Sequence, residues 1–168
     1  MSSQNGADGA TVVDTGLFRR VCGRFATGVT VITTTTPDGE PHGLTANSFS
    51  SVSLDPPLIL VCIDNRNSTL GQFLAGSPFA VNILADTGEG LSRRFAAAVD
   101  DRFDGVPWSH GTTGAPVLAN TLGHFECVLE KAVEAGDHVV LIGAVKDLRL
   151  ADEGEPLVFF DSAYRALL

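Results

Sequence analysis

The chain has 168 residues, of which 44% are hydrophobic and 18% are charged, and its net charge is -9. That length suits a single domain, and the hydrophobic fraction excludes an intrinsically disordered chain. The acidic balance disfavours nucleic acid as a partner, because such partners require a basic face. No segment reaches the roughly 18 uninterrupted apolar residues that a membrane span needs, so no membrane association is expected.

The N-terminal segment and the cysteines indicate the cellular location of the protein. Residues 1–13 are rich in Ser, Gly and Ala, which predicts a flexible tail in front of one domain over 14–168. A basic segment followed by an apolar one, as in a secretion signal, is not present there. The three cysteines are widely spaced and odd in number, which suits a reducing cytoplasm better than a disulfide framework. The expected location is therefore cytoplasmic.

Three helices are predicted from apolar periodicity and capping residues, over 15–26, 68–75 and 88–98. Asp14 caps the first, and its apolar stripe is expected to pack against the domain. Asn67 or Ser68 caps the second. Asp86 and Glu89 have the spacing of a capping box at the third.

Strands are predicted where β-branched and apolar residues lie between turn residues, over 28–36, 42–54, 58–63, 79–84, 124–130, 138–145 and 157–160. The first two form a hairpin, and the third is typical of a strand buried on both faces. Segment 100–116, with several Gly and Pro, is predicted to be a long loop. Strands and helices do not alternate regularly, which disfavours a doubly wound parallel sheet. The predicted fold is mainly β, a closed antiparallel barrel with a few short helices.

The common catalytic motifs are missing from the sequence. It contains no dinucleotide-binding or phosphate-binding glycine loop and no Gly-x-Ser-x-Gly elbow. His124 and Cys127 would lie on opposite faces of one strand, so they do not predict a metal site. Most acidic residues, Glu126 among them, are expected at turns or at alternating exposed positions. A hydrolase with paired carboxylates is therefore not favoured.

Two polar stretches are candidates for ligand binding. Residues 43–53 concentrate small hydroxyl and amide side chains, which suits a strand beside a flat polar ligand or, equally, a solvated strand. Residues 64–69 follow an apolar strand and lead into a helix. Free backbone N–H groups there, with Arg66, Ser68 and Thr69, would bind an anion, although the same residues also serve simple capping.

Five short motifs occur in one order along the chain: Gly43–Phe49, Val52–Pro57, Ser68-Thr69, Gly136–His138, and Pro156–Phe160 with Tyr164. Together they resemble the short-chain flavin reductase family, the reductase components of two-component flavin-dependent monooxygenases. The resemblance covers residues 15–168. It implies the FMN-binding split β-barrel, usually as a homodimer.

The resemblance also implies an activity. NADH or NADPH would reduce free FAD or FMN by hydride transfer from nicotinamide C4 to flavin N5, and the reduced flavin would pass to a partner monooxygenase. NADH is favoured, because no arginine cluster marks a pocket for a 2′-phosphate. FAD is favoured weakly, because the long loop over 100–116 has room for an adenine. Since the cofactors carry this chemistry, no catalytic triad is required.

The resemblance further implies the residues that contact the flavin. The ring and ribityl chain would lie along four consecutive residues, Thr45, Ala46, Asn47 and Ser48. The end of the neighbouring strand would lie near the ring, at Cys62, Ile63 and Asp64. The phosphate and tail would contact Ser68, Thr69, Arg102 and Phe103.

Two residues are implied on the nicotinamide side. His138 resembles the histidine of the family that contacts the nicotinamide cofactor, and it is the one residue given a catalytic role. Tyr164 would close over the nicotinamide. From the residues alone, a structural role is favoured for His138, and Tyr164 is equally well a packing aromatic.

Two other functions remain open at this point. The same fold could hold flavin permanently, as an electron carrier or a sensor. Alternatively, its Ser- and Thr-rich face could dock another protein. The first would give a protein that stays yellow on dialysis, and the second a protein that binds no flavin.

Overall fold

The computed structural model describes residues 12–99 and 101–167, so the tail predicted for 1–13 lies almost wholly outside the described residues. The helices are α1 (Thr15–Gly23), α2 (Leu70–Leu74) and α3 (Glu89–Ala96). The strands of the first half are β1 (Thr27–Gly28), β2 (Thr30–Thr35), β3 (Pro41–Ala46), β4 (Ser50–Leu54), β5 (Pro57–Asp64) and β6 (Phe79–Leu84). Those of the second half are β7 (Trp108–His110), β8 (Pro116–Leu118), β9 (Thr121–Ala135), β10 (His138–Leu150), β11 (Val158–Phe160) and β12 (Ala163–Arg165).

Seven strands form one sheet, in the order β3-β2-β6-β9-β10-β5-β4. All its ladders are antiparallel, and the predicted hairpin is present as β2 and β3. The mainly β, antiparallel prediction is confirmed. The barrel is split rather than closed, because among the described residues no ladder joins the edge strand β3 to β4 or β5 at the other side. The gap is bridged by the side chain of Ser48, which hydrogen bonds to Cys62 of β5.

The core has two parts, one on each face of β2. Ile32 faces the first, with Phe73 of α2 and Phe79 of β6. Val31, its neighbour in sequence, faces the second, with Phe95 of α3. Neighbouring residues of a strand point to opposite faces, so β2 is buried on both. No helix of the described residues is long and apolar enough to span a membrane.

Several predicted elements are corrected by the structure. The predicted strand over 42–54 is two strands, because the chain leaves β3 at Asn47 and crosses to pair with β5 as β4. The predicted loop over 100–116 contains β7, which pairs with β8. A last strand, β12, was missed and pairs with β11. On β5 only alternate residues are buried, so the strand is not covered on both faces within one chain.

The predicted helices are present but differ in detail. Asp14 caps α1 as expected, since its Oδ1 accepts hydrogen bonds from the Gly16 and Leu17 amides at 2.7 and 3.1 Å. The apolar stripe of α1, however, is not covered by the described residues, and the helix has no buried residue. The capping box at α3 is also absent, because Glu89 pairs instead with Arg93 at 2.7 Å.

Glu126 was expected on an exposed position, and this is wrong: it is 1% exposed. Its carboxylate accepts hydrogen bonds from the Thr112 and Thr113 amides at 3.0 and 2.7 Å and from the Thr113 hydroxyl at 2.7 Å. Burial alone would raise the pKa of Glu126, but these hydrogen bonds outweigh it and hold the pKa below its ordinary value. The side chain therefore anchors the turn between β7 and β8.

Candidate functional site

Residues predicted from both ends of the chain meet at one cavity of about 210 Å³, here called the Tyr164 cavity. Its lining comprises Val29, Thr45, Ala46, Asn47, Ser92, Ala96, Phe159 and Tyr164. A second cavity, of about 360 Å³, adjoins it, since Val29 and Asn47 line both. Among the described residues that line the two cavities there is no Asp, Glu, Lys, Arg or His. The walls are mostly apolar, with hydroxyl and amide groups along one edge.

The β3 edge of the Tyr164 cavity is fixed by side chains that bond to main chain. Thr30 donates its hydroxyl hydrogen bond to the Ala46 carbonyl at 2.7 Å. Thr45 donates to the Ser92 carbonyl of α3 at 2.6 Å. Asn47 ends the edge, and its amide donates to the Thr27 hydroxyl at 3.3 Å. These bonds fix the edge, and among the side chains named here the exposed Asn47 keeps hydrogen-bonding capacity toward a ligand.

Tyr164 forms the opposite wall and is held from three sides. Its hydroxyl lies 2.8 Å from the Ser92 Oγ. The guanidinium of Arg93 lies over its ring, 4.9 Å from the centroid, and Phe159 meets the ring edge-on at 5.4 Å. Sequence reasoning missed Ser92 and Phe159, because nothing local to either residue indicates that it faces Tyr164.

Ser48 closes the split of the barrel. Its Oγ accepts a hydrogen bond from the Cys62 amide and donates one to the Cys62 carbonyl, both at 3.0 Å. Ser48 and Cys62 were both predicted site residues, and the structure brings them together. Cys62 is half-buried, and burial raises the pKa of its thiol. Ile63, the next residue, is buried in the core and supports the strand rather than lining a cavity.

The strand end beyond Cys62 places His138 between two carboxylates. His138 opens β10 and is the cross-strand partner of Asp64. Its Nδ1 donates to Asp137 Oδ1 at 2.7 Å, and this hydrogen bond lowers the pKa of Asp137. Arg66 Nη2 lies 2.7 Å from Asp64 Oδ2, which holds the pKa of Asp64 well below its usual range. Because Nδ1 is occupied, Nε2 of the half-exposed His138 is the nitrogen left for a ligand.

The predicted anion site at α2 is only partly open. Asn67 caps this turn, since its Oδ1 accepts from the Thr69 amide at 2.9 Å. Ser68 is exposed, whereas Thr69 is 0% exposed and its hydroxyl has no hydrogen-bond partner. Ser68 is thus the side chain of this pair that a ligand can reach.

Arg102 and Phe103, predicted at the flavin tail, are engaged in structural contacts. Arg102 donates to the carbonyls of Gly43 at 2.9 Å and of Ala97 at 2.8 Å. Phe103 is buried and packs edge-on against Phe95, with 5.0 Å between ring centroids. This geometry favours support of β3 from behind over direct contact with a ligand.

Two other cavities are lined by none of the predicted site residues. They measure about 370 and 270 Å³. Among the described residues, no three His, Cys, Asp or Glu side chains are grouped to hold a metal ion. The Tyr164 cavity and the His138 strand end therefore remain the candidate site.

Comparison with known proteins gives one family. The model of the "Flavin reductase like domain" matches residues 22–168. One curated relative is a "Flavin reductase (NADH)" of Kitasatospora aureofaciens, which is 49% identical over 136 residues, covering 80% of this chain and 71% of the relative. Another is the "Flavin-dependent monooxygenase, reductase subunit HsaB" of Rhodococcus jostii, which is 37% identical over 163 residues, covering 97% of this chain and 83% of the relative.

Other relatives are longer, and solved structures share the fold. The chain spans 44% of a "Probable flavin reductase" of Rhizobium meliloti, to which it is 45% identical over 136 residues. A solved structure of the Streptomyces globisporus "NADH:FAD oxidoreductase SgcE6 in complex with NAD and FAD fragments" is similar with a TM-score of 0.88 and 38% identity, covering 95% of this chain and 98% of that one.

Proposed function

Since the chain belongs to the family of the flavin reductase like domain, we propose that it is an NADH-dependent flavin reductase that reduces free FAD or FMN and supplies the reduced flavin to a separate monooxygenase. The observation that carries the proposal is the Tyr164 cavity with its neighbour: mostly apolar walls, a hydrogen-bonding edge at Asn47, and no charged side chain among the described residues of the lining. Such a site binds a flat ring and offers no acid or base of its own.

The residues present suit a flavin and a nicotinamide as ligands. The two adjoining cavities, of about 210 and 360 Å³, together fall within the size range of small-molecule sites, roughly 300–1,000 Å³. When bound, the two ligands supply the chemistry, a hydride passing from nicotinamide C4 to flavin N5. The protein's part is to hold both rings in register and to exclude water.

Individual residues have distinct roles in this proposal. Thr45, Ala46 and Asn47 form the wall along the flavin ring, and Asn47 donates or accepts at its edge. Ser48, which bonds to Cys62, keeps that wall at a fixed distance from β5.

The remaining predicted residues lie around this wall. Asp64 lies at the outer end of β5, and Ser68 holds phosphate beside the buried Thr69. Ile63, Arg102 and Phe103 support the site from behind.

His138 and Tyr164 belong to the nicotinamide side. Asp137 accepts the Nδ1 hydrogen of His138, so Nε2 is presented as an acceptor for the carboxamide of the nicotinamide. Tyr164 covers the cavity from the C-terminal hairpin. NADH, rather than NADPH, is supported by the printed names of the Kitasatospora and Streptomyces relatives.

The activity is tested by following NADH oxidation at 340 nm, with FAD and FMN in separate runs and NADPH as a third. Saturable oxidation that depends on flavin is expected. Asn47→Ala should raise the KM for flavin about fivefold, the effect of losing one hydrogen bond, whereas Ser50→Ala, on the exposed face of β4, should not. No oxidation with either flavin and either nucleotide, or flavin that stays bound through dialysis, would contradict the proposal.

The partner is supported by a relative's name alone, since the Rhodococcus protein is a reductase subunit of a flavin-dependent monooxygenase. The test places the reductase and a flavin-dependent monooxygenase on two sides of a membrane that flavin can cross. Product formation would then show that reduced flavin diffuses between them. Loss of product, with reduced flavin measured on both sides, would show that the two proteins must meet.

A homodimer is the second partner proposed. The apolar stripe of α1 is exposed, with Phe18 at 60% and Val21 at 63%, and a second copy of the chain would cover it. Light scattering should give twice the chain mass. Phe18→Glu should lower it to that of one chain, while Arg19→Glu on the same helix should leave it unchanged. A wild-type protein of single-chain mass would refute the dimer.

Location in the cytoplasm is proposed on the cysteines. In the part of the chain that the structure describes, Cys22, Cys62 and Cys127 are all free, as in a reducing compartment. Cell fractionation with an antibody to the chain would test this.

A further inference from the structure

We propose that Ser92 is a positioning residue for nicotinamide binding: it holds Tyr164 in place over the cavity before the nucleotide arrives. The proposal rests on the proposed function and extends it to a residue that touches neither reacting atom. It concerns the order of events at the site, namely that the tyrosine is fixed first and the nucleotide binds to a wall already formed.

Ser92 is placed for this role by α3. Its side chain is 0% exposed, and its Oγ lies 2.8 Å from the Tyr164 hydroxyl. Its carbonyl accepts from the Thr45 hydroxyl at 2.6 Å. One residue thus connects the β3 wall of the cavity to the C-terminal wall, although Ser92 and Tyr164 are 72 positions apart.

The neighbours of Tyr164 leave this hydrogen bond as its only polar anchor among the described residues. Arg93 lies over the ring and Phe159 packs against its edge, but neither reaches the hydroxyl. The ring contacts restrain the plane of the ring, whereas the Ser92 bond sets how far its tip extends. β12 pairs with β11, which in turn pairs with β1, so the backbone of the hairpin is held by the sheet while the Ser92 bond fixes the tip of the tyrosine side chain.

The expected effect follows from pre-organisation. Ordering one side chain on binding costs free energy equivalent to about a fivefold change in affinity. In Ser92→Ala that cost falls on nucleotide binding, so the KM for NADH should rise about fivefold while kcat changes less than twofold. Tyr164→Phe removes the same hydrogen bond from its other end and keeps the ring. It should give the same rise, and the double variant should again give about fivefold rather than 25-fold.

Thr34→Val is the matched control. Thr34 is also 0% exposed, and its hydroxyl donates to the Pro78 carbonyl at 2.8 Å, at the end of β2 away from the cavity. Loss of this hydroxyl should lower the free energy of unfolding about as much as Ser92→Ala does, and it should leave the KM for NADH unchanged. A purely structural role of Ser92 would give the same result as this control.

The single tyrosine of the chain permits a direct observation. With 3-fluorotyrosine incorporated, one ¹⁹F resonance reports on residue 164. It should be sharp in the wild-type protein, shift on addition of NAD⁺, and broaden in Ser92→Ala. An unchanged resonance in Ser92→Ala, or variants that raise only the KM for flavin, would overturn the inference while leaving the reductase intact. A wild-type chain without flavin-dependent NADH oxidation would instead refute the proposed function and this inference with it.

Discussion

Replacing Ser48 by alanine tests whether one side chain holds the split barrel together. The change removes two hydrogen bonds, both at 3.0 Å, and leaves the amide and carbonyl of Cys62 without these partners. Each neutral hydrogen bond contributes about 0.5–1.5 kcal/mol, so the free energy of unfolding should fall by about 2 kcal/mol. For a chain of this length that corresponds to a decrease in Tm of about 4–8 °C.

The assay is urea unfolding followed by the fluorescence of the single tryptophan, Trp108, at one fixed protein concentration. Ser50→Ala is the control, because Ser50 is exposed and its hydroxyl donates only to the adjacent Ser51 carbonyl at 3.2 Å. The control should change the free energy by less than about 0.5 kcal/mol. If Ser48→Ala differs from it by no more than that, the bridge across the split does not stabilise the barrel.

The remaining predictions concern one buried acid and the nicotinamide side. Glu126→Gln should lower the free energy of unfolding by about 2–4 kcal/mol at pH 7, because an amide cannot accept all the hydrogen bonds of the buried carboxylate. The folded-state pKa of Glu126 is lowered, so its stabilisation is present above the unfolded value of about 4.3 and is lost as the pH falls through the folded value. Urea midpoints of wild type and variant should therefore approach each other as the pH falls below the ordinary pKa of about 4.3 and through the lowered folded pKa. His138→Ala should raise the KM for NADH about tenfold, whereas His110→Ala, an exposed histidine bonded to the Gly114 carbonyl at 3.1 Å, should not. Asp137→Asn should give a smaller rise, about threefold, by weakening the hold on Nδ1 of His138. A loss of stability in Glu126→Gln that stays the same at every pH would contradict the role given to the Glu126 carboxylate. Equal effects of His138→Ala and His110→Ala on the KM for NADH would contradict the role given to His138.

Local sequence signals predicted most of the strands, but they did not predict that the chain crosses from β3 to pair with β5 as β4. The Pro and Gly of the 37–41 turn and the β-branched run before it fix the β2–β3 hairpin, since both partners are close in sequence. The crossing at Asn47 has no such signal. The chain leaves β3 there and forms the other edge of the sheet as β4, by pairing with β5, and that pairing depends on the whole barrel.

The buried acid was missed for a related reason. Glu126 alternates with apolar neighbours as a solvent-facing residue would. Its hydrogen-bond donors, Thr112 and Thr113, belong to a turn 13 and 14 residues earlier that composition marks only as a loop. Composition cannot show that this turn folds back over β9.

For the candidate site, the resemblance to a known family predicted more of the residues than the periodicity of the sequence did. The motif at 43–49 predicted Thr45, Ala46 and Asn47 as site residues, and they line one cavity with Tyr164. Their distance from Tyr164 along the sequence does not by itself indicate this contact. Ser92 has no motif of its own. It faces Tyr164 only because α3 packs across the end of β3, which is a property of the tertiary structure.

The long β9–β10 hairpin separates the residues that stabilise the fold from His138, which is proposed to contact the nucleotide. Its inner half is buried, and its outer end, from Glu130 to Ala135, is exposed throughout. His138 sits at that outer end, paired with the last residue of β5. Under the proposed role of His138, substitutions at this exposed tip should change nucleotide binding while the barrel below retains its packing.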